Sequence, residues 1–331
     1  MPRSPCAAPR CPPKAVDEFE LIERYFVRQD ELPGVIVGIG DDGAVLAPPE
    51  GQDLITVVDT LVEGVHFPAD RSEIGAQSVG HRAVAVNLSD IAAMGGQPLW
   101  MTLALTLTEA NEEWLQFFAT GLHRIASRYG VALVGGDTTR GDSTVISVQL
   151  TGVVDKGGAI VRSGAHAGDR IYVSGSVGDA AGGLYLQEHP PAAPLGPHDY
   201  LLERLEFPTP RVELGQALAG TATAAIDISD GLYADLARML AASAVGGEVD
   251  VGALPVSPAL KSCFDTEAQR RLALSGGDDY ELCFTSPHEL PSEVAGVAVT
   301  PIGRITAGGS LQLRDEQGAV DYRDSGYLHF R

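Results

Sequence analysis

Lysine is scarce in this chain of 331 residues, where it occurs only as Lys14, Lys156 and Lys261. No GxxxxGK[ST] sequence is present, which excludes a phosphate-binding P-loop with its lysine. The pair Gly38-x-Gly40 lacks the later glycine of a dinucleotide-binding fingerprint. Any phosphate ligand must therefore be neutralised by arginine, by backbone N–H groups or by metal ions.

Positive charge and long apolar runs are also lacking. The formal net charge is −21, which argues against nucleic acid or an anionic membrane as the main partner, because both need a basic surface. No run approaches the roughly 20 apolar residues that span a bilayer. The sequence predicts no nucleic-acid partner and no membrane partner.

The four cysteines form no CxxC pair, so a zinc site or a disulfide framework is not expected. A reducing compartment follows, and we predict a cytoplasmic protein. No serine–histidine–aspartate order with a nucleophile elbow is present, so covalent acyl chemistry has no support.

The length suits two domains. Residues 1–16 contain five prolines and no acidic residue and are predicted to be a disordered tail, with a targeting leader or an overextended start as the alternatives. Glycine and small residues are concentrated over 155–168, which predicts a boundary between domains at 17–155 and 165–331.

Helical and strand-like segments occur in both halves without a strict βαβ rhythm, which predicts a mixed α/β (α+β) fold. Helices are predicted over 19–26, 73–94, 108–128, 178–186, 211–218 and 232–242, and strands over 35–39, 54–58, 99–107, 131–134, 145–154, 171–173, 224–228 and 280–284.

Aspartate beside glycine, serine or threonine recurs where predicted strands end. Carboxylates at a sheet rim, next to small residues that let the backbone approach a phosphate, are typical of magnesium-dependent phosphate binding. Each instance alone is also compatible with a turn or a helix N-cap. The instances are Asp41, Asp42, Asp59, Asp90, Asp137, Asp227, Asp230, Asp278 and Asp279.

Two of these aspartates interrupt apolar patterns. Asp90 lies inside an amphipathic helix, near the face of Val86, and Asp227 interrupts an apolar run that otherwise predicts a buried strand. A metal ion would offset the cost of a buried carboxylate, although exposure at the helix edge would also explain Asp90. Arg162 could hold a phosphate or be a solvated surface residue, and His66 beside an aromatic could be structural.

The sequence resembles a known family. Seven motifs, in order over nearly the whole chain, are similar to those of the thiamine-monophosphate kinases of the aminoimidazole ribonucleotide synthetase-like superfamily. They are GIGDDGAVL, VVDTLVEGVHF, AVNLSDIAAMGGQPLWMTLALTL, GGDTTRGD, VRSGAHAGDRIYVSG, AIDISDGL and SGGDDYELCFT.

The resemblance implies a two-domain α/β fold. Its N-terminal domain would bind Mg-ATP and pair in a homodimer through a β-barrel-like interface, and its C-terminal domain would be an α/β sandwich. The implied reaction is direct in-line transfer of the γ-phosphoryl group of ATP to thiamine monophosphate, with several Mg²⁺ ions, as the last step of thiamine diphosphate synthesis. No covalent nucleophile is implied, because charge neutralisation and positioning are sufficient for phosphoryl transfer.

The resemblance also assigns roles to individual residues. It implies magnesium ligands at Asp42, Asp59, Asp90, Asp137, Asp227 and Asp230, ATP contacts at Gly136, Asp137, Arg162 and Ser229, and substrate contacts at His66, Asp278 and Tyr327.

Two positions depart from the family pattern. Val57 and Val58 stand where the family usually has hydroxyl residues, so a backbone carbonyl or water would replace a side-chain ligand. Asp278 stands where glutamate is common and has a shorter reach.

Three alternatives remain open from the sequence: another ATP-dependent synthetase of the superfamily, a magnesium-dependent phosphatase, and a nucleotide-binding regulator without turnover. The synthetase alternative lacks support from a reactive cysteine, because none is found in a glycine-rich N-terminal loop.

Overall fold

The computed structural model describes residues 18–27, 33–70, 72–191 and 196–322, and the predicted tail 1–16 lies outside these ranges. Within them the protein has the expected mixed α/β content. The helices are α1 (Glu18–Tyr25), α2 (Glu73–Ala93), α3 (Glu112–Arg128), α4 (Asp179–Glu188), α5 (Gly196–Glu206), α6 (Val212–Leu218), α7 (Leu232–Ala242), α8 (Pro258–Cys263) and α9 (Thr266–Ser275). The strands are β1 (Val35–Val37), β2 (Val45–Leu46), β3 (Gln52–Val62), β4 (Gln97–Leu107), β5 (Ala132–Arg140), β6 (Val145–Asp155), β7 (Arg170–Ser174), β8 (Ala224–Asp227), β9 (Gly246–Asp250), β10 (Leu282–Ser286), β11 (Glu293–Val294), β12 (Val297–Thr306), β13 (Leu311–Asp315) and β14 (Gly318–Val320).

The N-terminal half is built on a four-stranded sheet with the order β3-β6-β4-β5. Alternate residues of the central strand β6 are buried, among them Ile146, Val148 and Leu150, and α2 and α3 cover this face. The opposite face, which we call the open face, carries Thr60 and Ser147, whose hydroxyl groups are 2.8 Å apart. The described strands of this sheet do not close into a barrel within one chain.

Helix α2 lies at the centre of the molecule. Most of its residues are buried and apolar ones occur all round it, as expected for a helix enclosed on every side. Glycine permits close packing: a Cβ at Gly80 would lie 2.0 Å from the carbonyl oxygen of Phe118 in α3, and one at Gly215 in α6 would lie 2.0 Å from that of Ala92. Helix α2 also contacts β3, β6 and β8, so it packs against both halves of the chain.

The C-terminal half contains a sheet with the order β14-β13-β9-β12-β7-β10-β8, and β11 pairs with the edge of β12. Among the described strands of this sheet, only β9 and β13 pair in parallel. On one face Met239 and Leu240 of α7 pack into a core with Val173 and Cys283. On the other face Tyr172, Phe284 and their neighbours join the core cluster that contains α2, so one apolar core continues from one half into the other.

Several element boundaries differ from the sequence predictions, and three of them have a clear physical reason. Helix α3 begins at Glu112 rather than Thr108, because the Asn111 side chain caps it by accepting a hydrogen bond from the Trp114 N–H at 3.1 Å. Strand β3 continues beyond Asp59 to Val62, since it stays paired with β6. Strand β5 continues through the Gly-Gly-Asp motif, because it pairs with β4 along this whole stretch.

Candidate active site

Four of the predicted metal ligands line one cavity of about 610 Å³ between the two halves, which we call the main cavity, and three of them come from different regular elements. Asp59 comes from β3, Asp90 from α2 and Asp227 from the end of β8. Burial raises the pKa of all three carboxyls. The negative charge of Asp59 adds to burial in raising the pKa of Asp90 to about 6, and Asp90 likewise raises that of Asp227. The charge of Asp90 is therefore repelled by both Asp59 and Asp227 in a poorly solvated place.

The Ser89 hydroxyl orients one of these carboxylates. It is fully buried on α2 and donates to Asp227 Oδ2 at 2.8 Å. This hydrogen bond stabilises the ionised form and so opposes the rise in the Asp227 pKa. The bond links α2 directly to the end of β8 in the other half of the molecule.

The turn after β8 brings Ser229 and Asp230 into the same cavity. Asp235, in the first turn of α7, organises this turn: its Oδ2 accepts hydrogen bonds from the backbone N–H groups of Ser229, Asp230 and Gly231 at 3.0–3.1 Å. Asp230 also forms an ion pair of 2.6 Å with Arg238. An acidic residue in a first helical turn is a recognisable signal, which the sequence reasoning did not use for Asp235.

His66 lines the main cavity from the loop after β3. Its Nδ1 accepts a hydrogen bond from the Val62 N–H at 2.9 Å, which in the neutral ring places the proton on Nε2. The carbonyl oxygen of His66 accepts a hydrogen bond of 3.0 Å from Nη1 of Arg82 in α2. Backbone contacts therefore fix both the ring and the loop that carries it.

Asp278 faces the cavity from an unusual loop. Asp278 and Tyr280 both adopt left-handed backbone conformations, with φ of 65° and 51°, and such strain is common at functional sites. The loop is held by hydrogen bonds of 2.9 Å from the Asp278 N–H to the Ser229 carbonyl and from the Tyr280 N–H to the Ile228 carbonyl. The Tyr280 hydroxyl donates to Asp278 Oδ1 at 2.9 Å.

A buried charge cluster lies beneath this loop. Glu281 is fully buried and accepts hydrogen bonds from Arg204 Nη2 at 3.0 Å, Arg211 Nε at 2.7 Å and the Ser174 hydroxyl at 2.6 Å. Arg204 also donates to the carbonyl of Asp279 at 3.1 Å. This cluster connects the helical region around α5 and α6 to the strained loop.

Arg162 lies beside a second cavity of about 450 Å³, which Asp90 also lines, together with apolar side chains such as Ile160. Its guanidinium is close enough to Asp90 and Asp227 to lower the pKa of both carboxyls, against the larger effect of burial. The Arg162 carbonyl accepts a hydrogen bond of 2.8 Å from the Ser243 hydroxyl. The two cavities thus meet at Asp90.

The structure does not bring Gly136, Asp137 or Asp42 to these cavities. Strand register aligns Asp59 with Val148, Leu103 and Gly136, whereas Asp137 belongs to the next row, with Ala104, Ser147 and Thr60. Since paired residues share a face, Asp137 points to the open face and Asp59 to the helix-covered face. Three strand spacings also separate β3 from β5, roughly 14 Å.

Asp42 is exposed in the turn between β1 and β2, where its N–H donates to Asp41 Oδ1 at 2.8 Å. Val35 of β1 and Leu46 of β2 pack against Trp100, Ala132 and Val134. The magnesium roles of all six aspartates stay predictions, and Tyr327 lies outside the described residues.

The two valines that depart from the family pattern point in opposite directions. Val57 is half-buried and lines the second cavity, whereas Val58 is 64% exposed on the open face. In the described ranges, no group of three or more histidine, cysteine, aspartate or glutamate side chains is arranged to hold a metal ion. Cys263 and Cys283 are free thiols. None of the described helices has the length and apolar character to cross a bilayer.

Sequence reasoning missed several residues around the site: Arg82, Glu281 with its arginine partners, Asp235 and Tyr280. Arg82 follows histidine in a run of small residues, and nothing local marks it as buried. Arg82 becomes buried because the loop after β3 packs over α2, where the His66 carbonyl accepts its hydrogen bond.

The fold agrees with comparisons to known proteins. "AIR synthase related protein, N-terminal domain" matches residues 40–154 and "AIR synthase related protein, C-terminal domain" matches residues 166–316, which defines the class. The thiamine-monophosphate kinase of Escherichia coli (strain K12) is 45% identical over 328 residues, covering 96% of this chain and 99% of that one. The chain belongs to the thiamine-monophosphate kinase family of AIR synthase related proteins.

Solved structures of thiamine-monophosphate kinases are also similar to this protein. The crystal structure of thiamine-monophosphate kinase from Stenotrophomonas maltophilia K279a has a TM-score of 0.79 and 43% identity, and the match covers 87% of this chain and 93% of that one. A structure described as AaThiL complexed with AMPPCP and TMP has a TM-score of 0.76 and 33% identity, with 88% and 92% covered.

Proposed function

We propose that this protein transfers the γ-phosphoryl group of ATP to thiamine monophosphate, giving thiamine diphosphate and ADP. The observation that carries the proposal is the main cavity, which joins Asp59, Asp90 and Asp227 to His66 and Asp278. Membership in the thiamine-monophosphate kinase family supports it, as does the similarity to AaThiL, which was solved with an ATP analogue and TMP.

The two cavities suit the two substrates. The second cavity combines Arg162 with apolar walls such as Ile160 and Val161, which fits a nucleotide whose phosphates point towards Asp90. The main cavity has polar groups at His66 and Asp278 and apolar walls, which fits the charged and aromatic parts of thiamine monophosphate. The substrates would meet beside Asp90, which lines both cavities.

The reaction needs no covalent enzyme intermediate. The attacking atom is a phosphate oxygen of the acceptor, which is largely deprotonated at neutral pH because the second pKa of a phosphate monoester is about 6. The protein must therefore align two phosphates and reduce the repulsion between them. The His66 ring, fixed by the Val62 N–H, serves as a hydrogen-bond donor rather than a base in this arrangement.

Magnesium fits the donor set of the site. Asp59, Asp90 and Asp227 offer only oxygen ligands, and their mutual repulsion would be relieved by a cation. Because Mg²⁺ commonly binds one or two carboxylates together with substrate phosphates and water, no ready-made cluster of three protein ligands is needed. The ions would neutralise the transferring phosphates, with Asp230 and Ser229 at the rim of the same cavity.

We also propose that two copies pair through the open face in a cytoplasmic homodimer. That face exposes Leu54 (55%) and Val58 (64%), and it also carries hydroxyl groups and Asp137. Pairing would cover these side chains and, where the edge strands β3 and β5 of different copies come together, let Asp137 of one copy act with Asp59 of the other, which a single sheet prevents.

A mixing experiment tests the shared site. Asp59→Asn and Asp137→Asn are each expected to be inactive as homodimers, whereas co-expressed mixed dimers should regain about a quarter of wild-type turnover, because half of the dimers are mixed and one of their two sites is intact. No recovery in mixed dimers confirmed by mass spectrometry would contradict the shared site.

Incubation of the purified protein with Mg-ATP and thiamine monophosphate tests the main proposal, with thiamine diphosphate detected by chromatography. Asp90→Asn should lower turnover by at least about 100-fold with little change in thermal stability. Asp199→Asn, at an exposed position, is the control and should leave turnover unchanged. Phosphate release without an acceptor would instead indicate a phosphatase. Binding without turnover would indicate a regulator.

A further inference from the structure

Arg82 is the feature of the main cavity that neither the family motifs nor the proposed chemistry has used. It is 7% exposed on α2 and lies between His66 and Asp278, two of the three predicted substrate contacts. Among the described residues that line this cavity, it is the only one with a cationic Lys or Arg side chain. A buried cation in a site for anions calls for a specific explanation.

The contacts of Arg82 leave much of its guanidinium unsatisfied. Nη1 donates to the His66 carbonyl at 3.0 Å. Nη2 is 3.6 Å from Asp278 Oδ1, which is an ion pair but too long for a good hydrogen bond. Nε is buried and has no hydrogen-bond partner among the described residues. A role in holding the His66 loop accounts for the hydrogen bond made by Nη1. It leaves Nε without a partner and Nη2 with only a long ion pair.

Charge also favours a phosphate at this position. The other ionisable side chains around the cavity include the carboxylates of Asp59, Asp90, Asp227, Asp230 and Asp278. A phosphate dianion entering such a site is repelled unless a cation is close to it. Guanidinium is well suited to this task, because its planar fork matches two phosphate oxygens.

The row of residues along α2 separates this cation from the proposed metal ligands. Arg82, Val86 and Asp90 follow one another at intervals of four residues and line the same cavity. The helix rises about 12 Å from Arg82 to Asp90, so the cation and the carboxylate occupy opposite ends of the row. An acceptor phosphate bound between these ends can contact Arg82 on one side and face the γ-phosphoryl group near Asp90 on the other, and the apolar Val65 and Leu184 line the remaining wall.

We propose that Arg82 binds the phosphate group of the acceptor and makes the site select the phosphorylated acceptor over unphosphorylated thiamine. This inference rests on the proposed function and adds to it a residue that determines specificity. The selectivity arises because Nε and Nη2 of the buried guanidinium gain good hydrogen-bond partners only when a phosphate is present, so a ligand without one leaves Nε without a partner.

The test compares the binding of two ligands that differ only in the phosphate. Calorimetry in the presence of a non-hydrolysable ATP analogue would give the Kd of thiamine monophosphate and of thiamine for the wild type, Arg82→Gln and Arg82→Lys. Arg82→Gln should raise the Kd of thiamine monophosphate about 10- to 100-fold and change that of thiamine less than about twofold. Arg82→Lys should restore part of the preference, because it restores the charge but not the planar fork.

Arg314→Gln is the matched control, since Arg314 lies 52% exposed in a surface ion pair with Glu248. It should leave both dissociation constants unchanged. Equal weakening of thiamine and thiamine monophosphate by Arg82→Gln would show that Arg82 only braces the loop, and would overturn the inference. The KM for ATP should change less than about twofold in Arg82→Gln, and a rise equal to that for the acceptor would also overturn it.

A second measurement does not depend on the folding of Arg82→Gln. The Nε–H signal of Arg82 in the wild-type ¹⁵N NMR spectrum, assigned by its loss in Arg82→Lys, should shift with thiamine monophosphate and stay in place with thiamine. An identical response to both ligands would contradict the inference. Wild-type turnover of thiamine monophosphate tests the proposed function separately, so the two ideas can fail independently.

Discussion

Replacement of Glu281 by glutamine should lower the free energy of unfolding by about 3–5 kcal/mol, the range measured when one partner of a buried ion pair is removed. Glu281 is fully buried and pairs with Arg204 at 3.0 Å and with Arg211 through Nε at 2.7 Å. Glutamine has nearly the same shape, so packing is kept. The loss arises because two arginines, whose side chains are only 10% and 17% exposed, are left without their counter-charge.

Urea unfolding followed by circular dichroism and by tryptophan fluorescence provides the measurement, and agreement between the two signals checks that unfolding is cooperative. Glu248→Gln is the control, because its ion pair with Arg314 is 3.0 Å long but both side chains are about half exposed, so its loss should cost less than about 1 kcal/mol. If Glu281→Gln costs no more than Glu248→Gln, the buried cluster does not stabilise the fold and the reasoning is refuted.

Three further predictions concern α2. Burial lowers the pKa of His81, so below about pH 6.5 the unfolded chain binds a proton that the folded protein does not. The free energy of unfolding therefore falls as pH falls. His81→Gln should reduce this fall by up to about 1.4 kcal/mol per pH unit. Gly80→Ala should lower the free energy of unfolding by about 1–3 kcal/mol, because its Cβ would lie 2.0 Å from the Phe118 carbonyl oxygen. Ser89→Ala, which removes the 2.8 Å hydrogen bond to Asp227, should raise the magnesium concentration for half-maximal turnover at least about 10-fold.

Each of the three predictions has an outcome that would contradict it. An unchanged pH slope in His81→Gln would show that other groups dominate acid destabilisation. Gly308→Ala, where a Cβ meets no atom within 4 Å, is the control for Gly80→Ala, and equal stabilities would exclude a close helix contact. A Ser89→Ala enzyme with unchanged magnesium dependence would show that Asp227 does not need this donor.

The longer periodic elements could be predicted from the sequence because their pattern is local. Helix α7 has the predicted bounds, Leu232–Ala242, and α2 and β6 agree within one residue at each end. Helix α9 and strand β9 were missed: α9 is short and mostly polar, and β9 begins with two glycines, so their partners rather than their own patterns stabilise them.

The site was harder to predict than the elements. The chain order of the motifs does not reveal which face of a strand carries an aspartate, because the face depends on register. A bulge between β4 and β5, at Met101 and Thr102, precedes the row that holds Asp137, and one residue of register decides the side of the sheet. The burial of Arg82 and its contact with the His66 carbonyl likewise depend on how the loop after β3 packs over α2.

The position of α2 has a consequence for motion. Its side chains share one continuous core with Tyr172 and Phe284 of the C-terminal sheet, so a hinge opening between the halves would expose large buried aromatic rings to water. Such an opening costs far more than movement of a surface loop. We therefore expect substrates to enter and products to leave past the rim of the cavity, near Val65 and Leu184, while the two halves stay together as one rigid unit.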